Sequence, residues 1–135
     1  MPPPQPAHGT TNRWRRGCHC RPCGDAHNAD LSARRRRLLD VGPLGPKGRT
    51  RLIRLIRRGT TVVDAARAVG VSAPAVYGAA EMLPDFRAAL DEATEAARRC
   101  DDQSRGTAKG YRWLRCPCPD CRAYHREETR RYRQT

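Results

Sequence analysis

The pattern C-x-C-x-x-C-x-x-x-H occurs twice in this chain, as CHCRPCGDAH from Cys18 and as CPCPDCRAYH from Cys116. A set of soft ligands at each end constrains what those ends can fold around. A lobe on the order of thirty residues buries too little apolar surface to stand on a core alone, so something else must supply folding free energy. The two ends also align outside the cysteines. HGTTNRWRRGCHCRPCGDAHNAD lies over RGTAKGYRWLRCPCPDCRAYHRE, matching Gly9-Thr10 with Gly106-Thr107 and placing Trp14 with Tyr111 after a one-residue shift. Positions shared by the copies are the candidate ligands: Cys18, Cys20, Cys23 and His27, then Cys116, Cys118, Cys121 and His125. His8 faces Arg105 and His19 faces Pro117, so neither is common to both ends; His8 is the alternative to His27 in the first lobe.

Three thiolates and one imidazole suit zinc, which they would enclose as a closed, structural tetrahedron with no position left for substrate. The expectation is two Zn2+ per chain, one in each lobe. A helix starting near the third cysteine would carry the histidine one turn on and aim it back at the ion. Seven cysteines, an odd number, without a secretion signal argue against a disulfide framework. An iron–sulfur cluster is disfavoured because histidine is an uncommon fourth ligand there. Cys100, at the end of a helical pattern, reads as a small core residue, with a ligand role as the alternative.

Between the ends the pattern is helical. The expected organisation is a disordered Pro-rich N-terminus over residues 1–10, a first zinc lobe with a basic helix over 11–40, and a Gly/Pro linker over 41–50. A helical domain over 51–101 and a second zinc lobe with a basic helix over 102–135 follow. In RTRLIRLIRRG, Leu52, Ile53, Leu55 and Ile56 fall on one helix face. In TTVVDAARAVGVSAPAVYGAAE, a helix breaks at Gly70 and restarts behind Ser72 as N-cap with Pro74 in its first turn. A fourth helix from Leu83 buries Phe86, Leu90, Ala93 and Ala97. The fold class expected is mainly α: a central helix-turn-helix bundle of about four helices, with a small zinc-stapled loop-helix lobe at each terminus.

Net charge is +13, from 27 Lys plus Arg against 14 Asp plus Glu. Nearly all the cations are arginine, the side chain that makes bidentate phosphate contacts, so a polyanion is the expected partner. Candidate phosphate contacts are Arg34, Arg35, Arg36, Arg37, Arg49, Arg51, Arg130 and Arg131; Ser72, Ala73, Ala75 and Tyr77 lie on the helix that would meet a groove. That helix carries no Arg, Lys, Asn or Gln to pair with a base edge, which predicts tight, salt-sensitive and weakly selective binding. No stretch is apolar enough to span a membrane and the N-terminus lacks a signal-peptide layout, giving the expectation of a soluble cytoplasmic protein. An enzyme is not expected: His27-Asn28 beside a Cys cluster has the look of an HNH nuclease neighbourhood, but no acidic pair offers a catalytic metal site.

TVVDAARAVGVSAPAVY followed by LPDFRAALDEA resembles the homeodomain-like helix-turn-helix domains of phage small terminase subunits, transposase-associated proteins and related regulators. The resemblance implies a DNA-binding role with Ser72 to Glu81 offered to the major groove. The ends, through HGT, RRGCHCRPC and CPCPDCRA, resemble short CxCxxC modules of small proteins from high-GC bacteria and their phages. The expected partner is duplex DNA, with self-association into a homo-oligomer left open, and no membrane. The competing expectations are a zinc-dependent protein-interaction adaptor and a single-strand or RNA binder that uses Trp14, Tyr111, Trp113, Tyr124 and Tyr132 as stacking platforms.

Overall fold

A computed structural model describes all residues, 1–135. The chain is mainly helical and contains no strand. It divides into two units, residues 1–42 and residues 43–135.

The first unit holds a short helix α1 (Thr11–Arg15) and a long helix α2 (Arg21–Val41). Cys20 is the N-cap residue of α2 and Pro22 sits in its first turn, where a missing amide proton costs nothing. The only buried residue of α2 is Cys23. A helix polar on nearly all sides gains little from packing, so what fixes α2 is concentrated at its first two turns. The helix is longer than the short basic segment expected.

In the second unit, α3 (Pro46–Arg57), α4 (Val62–Val69), α5 (Ala73–Met82) and α6 (Pro84–Ala96) pack around Leu52, Ile56, Ala65, Ala66, Val76, Phe86, Leu90 and Ala93. The apolar stripe of α3 divides as its periodicity dictates: Leu52 and Ile56 are fully buried, Ile53 and Leu55 partly. Thr61 caps α4 through its hydroxyl, which accepts from the Asp64 amide at 3.1 Å. Gly70 ends α4 in the left-handed region at φ +87, where a side chain would be strained, and Ser72 caps α5 by accepting from the Ala75 amide at 3.3 Å. α4 and α5 are thus joined by three residues.

Two expectations need correction here. The division between the two units falls inside the expected linker, residues 41–50, but that stretch is not linker throughout: α2 runs through Val41, α3 begins at Pro46, and Leu44 and Gly45 are buried. Gly48 makes this compact arrangement accessible, because a Cβ there would stand 1.8 Å from the Pro43 carbonyl oxygen. Nor does the ordered chain begin at residue 11, since Gly9 and Thr10 make specific hydrogen bonds described below; residues 1–7 carry no regular secondary structure.

After α6 the chain forms a π-helical segment, Lys109–Trp113, and a final helix α7 (Pro119–Gln134) capped by Cys118. Cys100, Cys116, Cys118 and Cys121 form the buried cluster of this lobe, with Tyr111 and Leu114 packed against it. The core of the lobe is therefore made mostly of thiols.

Candidate metal centres

Each CxCxxC loop places its sulfurs by the same devices. The second cysteine of each copy, Cys20 or Cys118, is the extended N-cap residue of a helix, so the third lies in the first turn where free amides converge. Gly9 and Gly106 take left-handed conformations at φ +80 and +67 and donate their amides to the third sulfur of their copy, Cys23 at 3.3 Å and Cys121 at 3.4 Å. Thr10 Oγ1 accepts from the Arg13 amide at 3.2 Å and donates to the Ala7 carbonyl at 2.8 Å. Thr107 Oγ1 does the same with the Gly110 amide at 3.3 Å and the Ser104 carbonyl at 2.6 Å. The Cys18 amide donates to the Arg13 carbonyl at 3.2 Å and the Cys116 amide to the Gly110 carbonyl at 3.0 Å. The sequence repeat is a structural repeat.

The one-residue shift between copies has a local cause. Where the first copy has α-helix Thr11–Arg15, the second has a π-helix over Lys109–Trp113, with the Leu114 amide bonded to the Lys109 carbonyl five residues back. A π-turn absorbs one extra residue without moving its ends.

The fourth member of each tetrad is not the one the repeat points to. Beside Cys18, Cys20 and Cys23 the structure places His8, its Nδ1 at 3.4, 3.5 and 3.8 Å from the three sulfurs. One ring nitrogen has a single proton or a single lone pair, so it cannot hydrogen-bond three sulfurs at once. Equal approach to all three is the arrangement of ligands around a common centre. Tetrahedral bonds of about 2.3 Å to sulfur and 2.0–2.1 Å to nitrogen give edges of about 3.6 Å for S···N and about 3.8 Å for S···S. The observed S···N edges straddle the first value.

In the second lobe Arg105 stands at the position of His8, and Cys100 supplies the fourth sulfur from the chain just after α6. Its Sγ is 3.7 Å from that of Cys118, close to the expected edge. In each tetrad the four ligand atoms lie within 4.8 Å of one another. Cys100 is thus buried as expected of a core residue, but as a member of a ligand set. Arg105 is used differently from His8: it pairs with Glu95 and lies 3.1 Å from Asp120 Oδ2.

His27 and His125 lie outside the tetrads, and they do so in equivalent ways. His27 stacks on Trp14, with ring centroids 4.9 Å apart, and His125 stacks on Tyr111 at 4.3 Å. Both lie one turn beyond the third cysteine, about 5.4 Å further along the helix axis, whereas the sulfurs converge at the helix start. Their shared place in the repeat reflects shared packing on an aromatic ring.

The two centres differ in environment. Cys18 and Cys20 are half-buried and His8 exposed, while all four members of the second centre are buried. Hydrogen bonding from Cys20, by its amide and then its thiol, lowers the Cys18 thiol to about 6. For Cys116 burial acts upward, but the Cys118, Arg99 and Cys100 amides outweigh it and leave the thiol at about 6; the Arg99 amide is 3.2 Å from its sulfur. Burial pushes Cys100 up. Each loop is therefore prepared to hold at least one thiolate, the form that binds a cation. The donor sets, three thiols with one imidazole in the first lobe and four thiols in the second, are compatible with two bound metal ions.

The residues expected to meet nucleic acid are dispersed over both units. Arg34 to Arg37 and Arg51 are exposed; Arg49 donates to the Leu44 carbonyl at 2.9 Å. Arg130 and Arg131 are exposed and pair with Glu127. On α5, Ser72 and Ala75 are exposed and Ala73 half-buried, whereas Tyr77 lies beneath Arg122 of α7, whose guanidinium carbon is 3.4 Å from the ring centroid. Comparisons with protein-family models, with curated proteins and with solved structures find no match for the chain.

Proposed function

We propose that this is a DNA-binding protein in which a helix-turn-helix bundle stands between two zinc-stapled lobes, acting as a phage or mobile-element regulator or packaging-associated factor. The observation that carries the DNA reading is the charge. The chain has an excess of 13 positive charges, and Arg34, Arg35, Arg36 and Arg37 are all exposed and in no ion pair. Surface arginines without acidic partners are retained at a cost in self-repulsion that a polyanion relieves. The three-residue turn between α4 and α5, with left-handed Gly70 and capping Ser72, supports the helix-turn-helix assignment. Zinc is favoured for the two centres because the ligand atoms in each tetrad are too close together to be shared among the irons of a cluster, and both donor sets are ones that structural zinc takes.

A second reading has its own observation. Between α3 and α6 lies an open groove of about 750 Å³, with Ile53, Leu83 and Phe86 in its wall and Arg54, Arg57 and Arg58 at its edge. This suits an adaptor that takes an acidic, partly apolar partner.

A gel shift with duplex DNA separates the two. Retention is expected at about 50 mM salt and loss at about 300 mM, since each phosphate neutralised contributes about 0.9 to the log-log salt slope. Migration as free DNA at the lower salt removes the DNA reading, and preferential retention of single strands replaces duplex with single-stranded nucleic acid.

A further inference from the structure

We infer that α2, and not α5, is the element that enters the major groove, with Arg34–Arg37 dividing between guanine edges and the phosphates of both walls. This rests on the DNA-binding reading above and assigns its base-contacting surface to the first unit.

The two helices offer a base pair different groups. α5 presents Ala73, Pro74, Ala75, Gly78 and Glu81 with no cation or amide side chain among them, and its one aromatic residue, Tyr77, is covered by Arg122. A base edge is read by bidentate hydrogen bonds, most often from arginine to guanine O6 and N7, and α5 cannot make one. α2 can. Its 21 residues span about 32 Å at 1.5 Å per residue, and every side chain from Ser32 to Leu38 is exposed. Four consecutive arginines occupy that stretch. At 100° per residue they point in four directions around the axis, which is a poor way to lay a basic face on one strand and a good way to fill a channel charged on both sides.

The dimensions agree. An α-helix with its side chains is about 10–12 Å across and the major groove of B-DNA about 12 Å wide, while the A-form RNA groove is too narrow and deep for side chains to read. Of four arginines spaced this way, one faces the groove floor, two face the walls and one faces out. The N-terminal end of the helix is firmly held: Cys23 belongs to the first candidate metal centre, the Ala26 carbonyl accepts from Thr11 Oγ1 at 3.3 Å, and His27 stacks on Trp14. Beyond those two turns nothing apolar in the first unit covers α2, and Leu38 and Val41 are 63% and 84% exposed.

The test uses the full-length metal-loaded protein, a variant with Arg34→Gln, Arg35→Gln, Arg36→Gln and Arg37→Gln, and a charge-matched variant with Arg126→Gln, Arg130→Gln, Arg131→Gln and Arg133→Gln. A GC-rich duplex is titrated across salt, and guanine N7 is probed by methylation on the complex. Parent protein is expected to protect N7. The α2 variant is expected to lose that protection and to lower the salt slope by about 2, one unit for each wall phosphate. The α7 variant is expected to weaken binding while keeping the protection. Circular dichroism confirms that both variants fold. Protection that survives in the α2 variant overturns the inference and leaves the DNA-binding reading standing. Tighter binding of duplex RNA also overturns it, and failure of the parent to bind any duplex overturns both.

Discussion

Stripping the metal at neutral pH will unfold both ends of the chain and leave the α3–α6 bundle folded. In far-UV circular dichroism the helical signal should fall by about half, because α1, α2, the π-segment and α7 hold about half of the helical residues. The two parts are held by different forces. The bundle buries Leu52, Ile56, Val76, Phe86 and Leu90, apolar side chains worth about 1.5–3 kcal/mol each when fully buried. The first unit buries only Cys23, and the core of the second lobe is the ligand set itself. A structural ion contributes about 10–16 kcal/mol, more than anything else available to either lobe, so removing it is decisive there and nearly irrelevant to the bundle. A strong chelator in excess, followed by readdition of metal with recovery of the signal, measures this. No change in the spectrum after complete removal would mean that the lobes fold without an ion.

Gly110→Ala will cost the second lobe its metal and leave the first lobe intact. A Cβ at Gly110 would stand 2.4 Å from the Ser104 carbonyl oxygen and 2.7 Å from Cys121 Sγ. Neither neighbour can yield: the Ser104 carbonyl accepts the Thr107 hydroxyl at 2.6 Å, and Cys121 is a member of the tetrad. Overpacking of this kind costs about 1–3 kcal/mol where side chains can shift, and a backbone carbonyl and a ligand can shift less. Gly78→Ala is the internal comparison, since nothing lies within 4 Å of a Cβ there and alanine favours a helix over glycine by about 0.5–1 kcal/mol. Thermal melts with metal content should therefore move in opposite directions for the two variants. A Gly110→Ala protein with two bound ions and the parent melting temperature would show the close packing to be dispensable.

What the sequence could and could not disclose is clearest at the tetrads. Six sulfurs were legible because the spacing C-x-C-x-x-C repeats and because a cysteine N-cap sends the third sulfur into the first turn of a helix. The fourth ligands were not legible from the repeat, because the duplication has diverged at that very position. The first copy keeps His8 and the second has Arg105, so a rule that accepts only shared positions discards the true neighbour and retains His27 and His125. Those two histidines are shared for another reason, their stacking on Trp14 and Tyr111. Two signals pointed the other way. Gly9 follows His8 directly, and a left-handed glycine is what folds an N-terminal ligand back over the loop. The seven cysteines divide as three, three and one, so the copy without a histidine had a spare thiol within reach at Cys100. The four helices of the bundle were legible through periodicity and caps. The extent of α2 was not, because a polar helix with one buried residue carries almost no periodic signal.

Elemental analysis of the purified protein and four variants tests the central claim, that each lobe closes on an ion through His8 in one case and Cys100 in the other. The parent is expected to carry two metal ions per chain, His8→Ala and Cys100→Ser one each, and His27→Ala and His125→Ala still two. Two ions in His8→Ala and Cys100→Ser, together with one in His27→Ala or His125→Ala, would contradict the account.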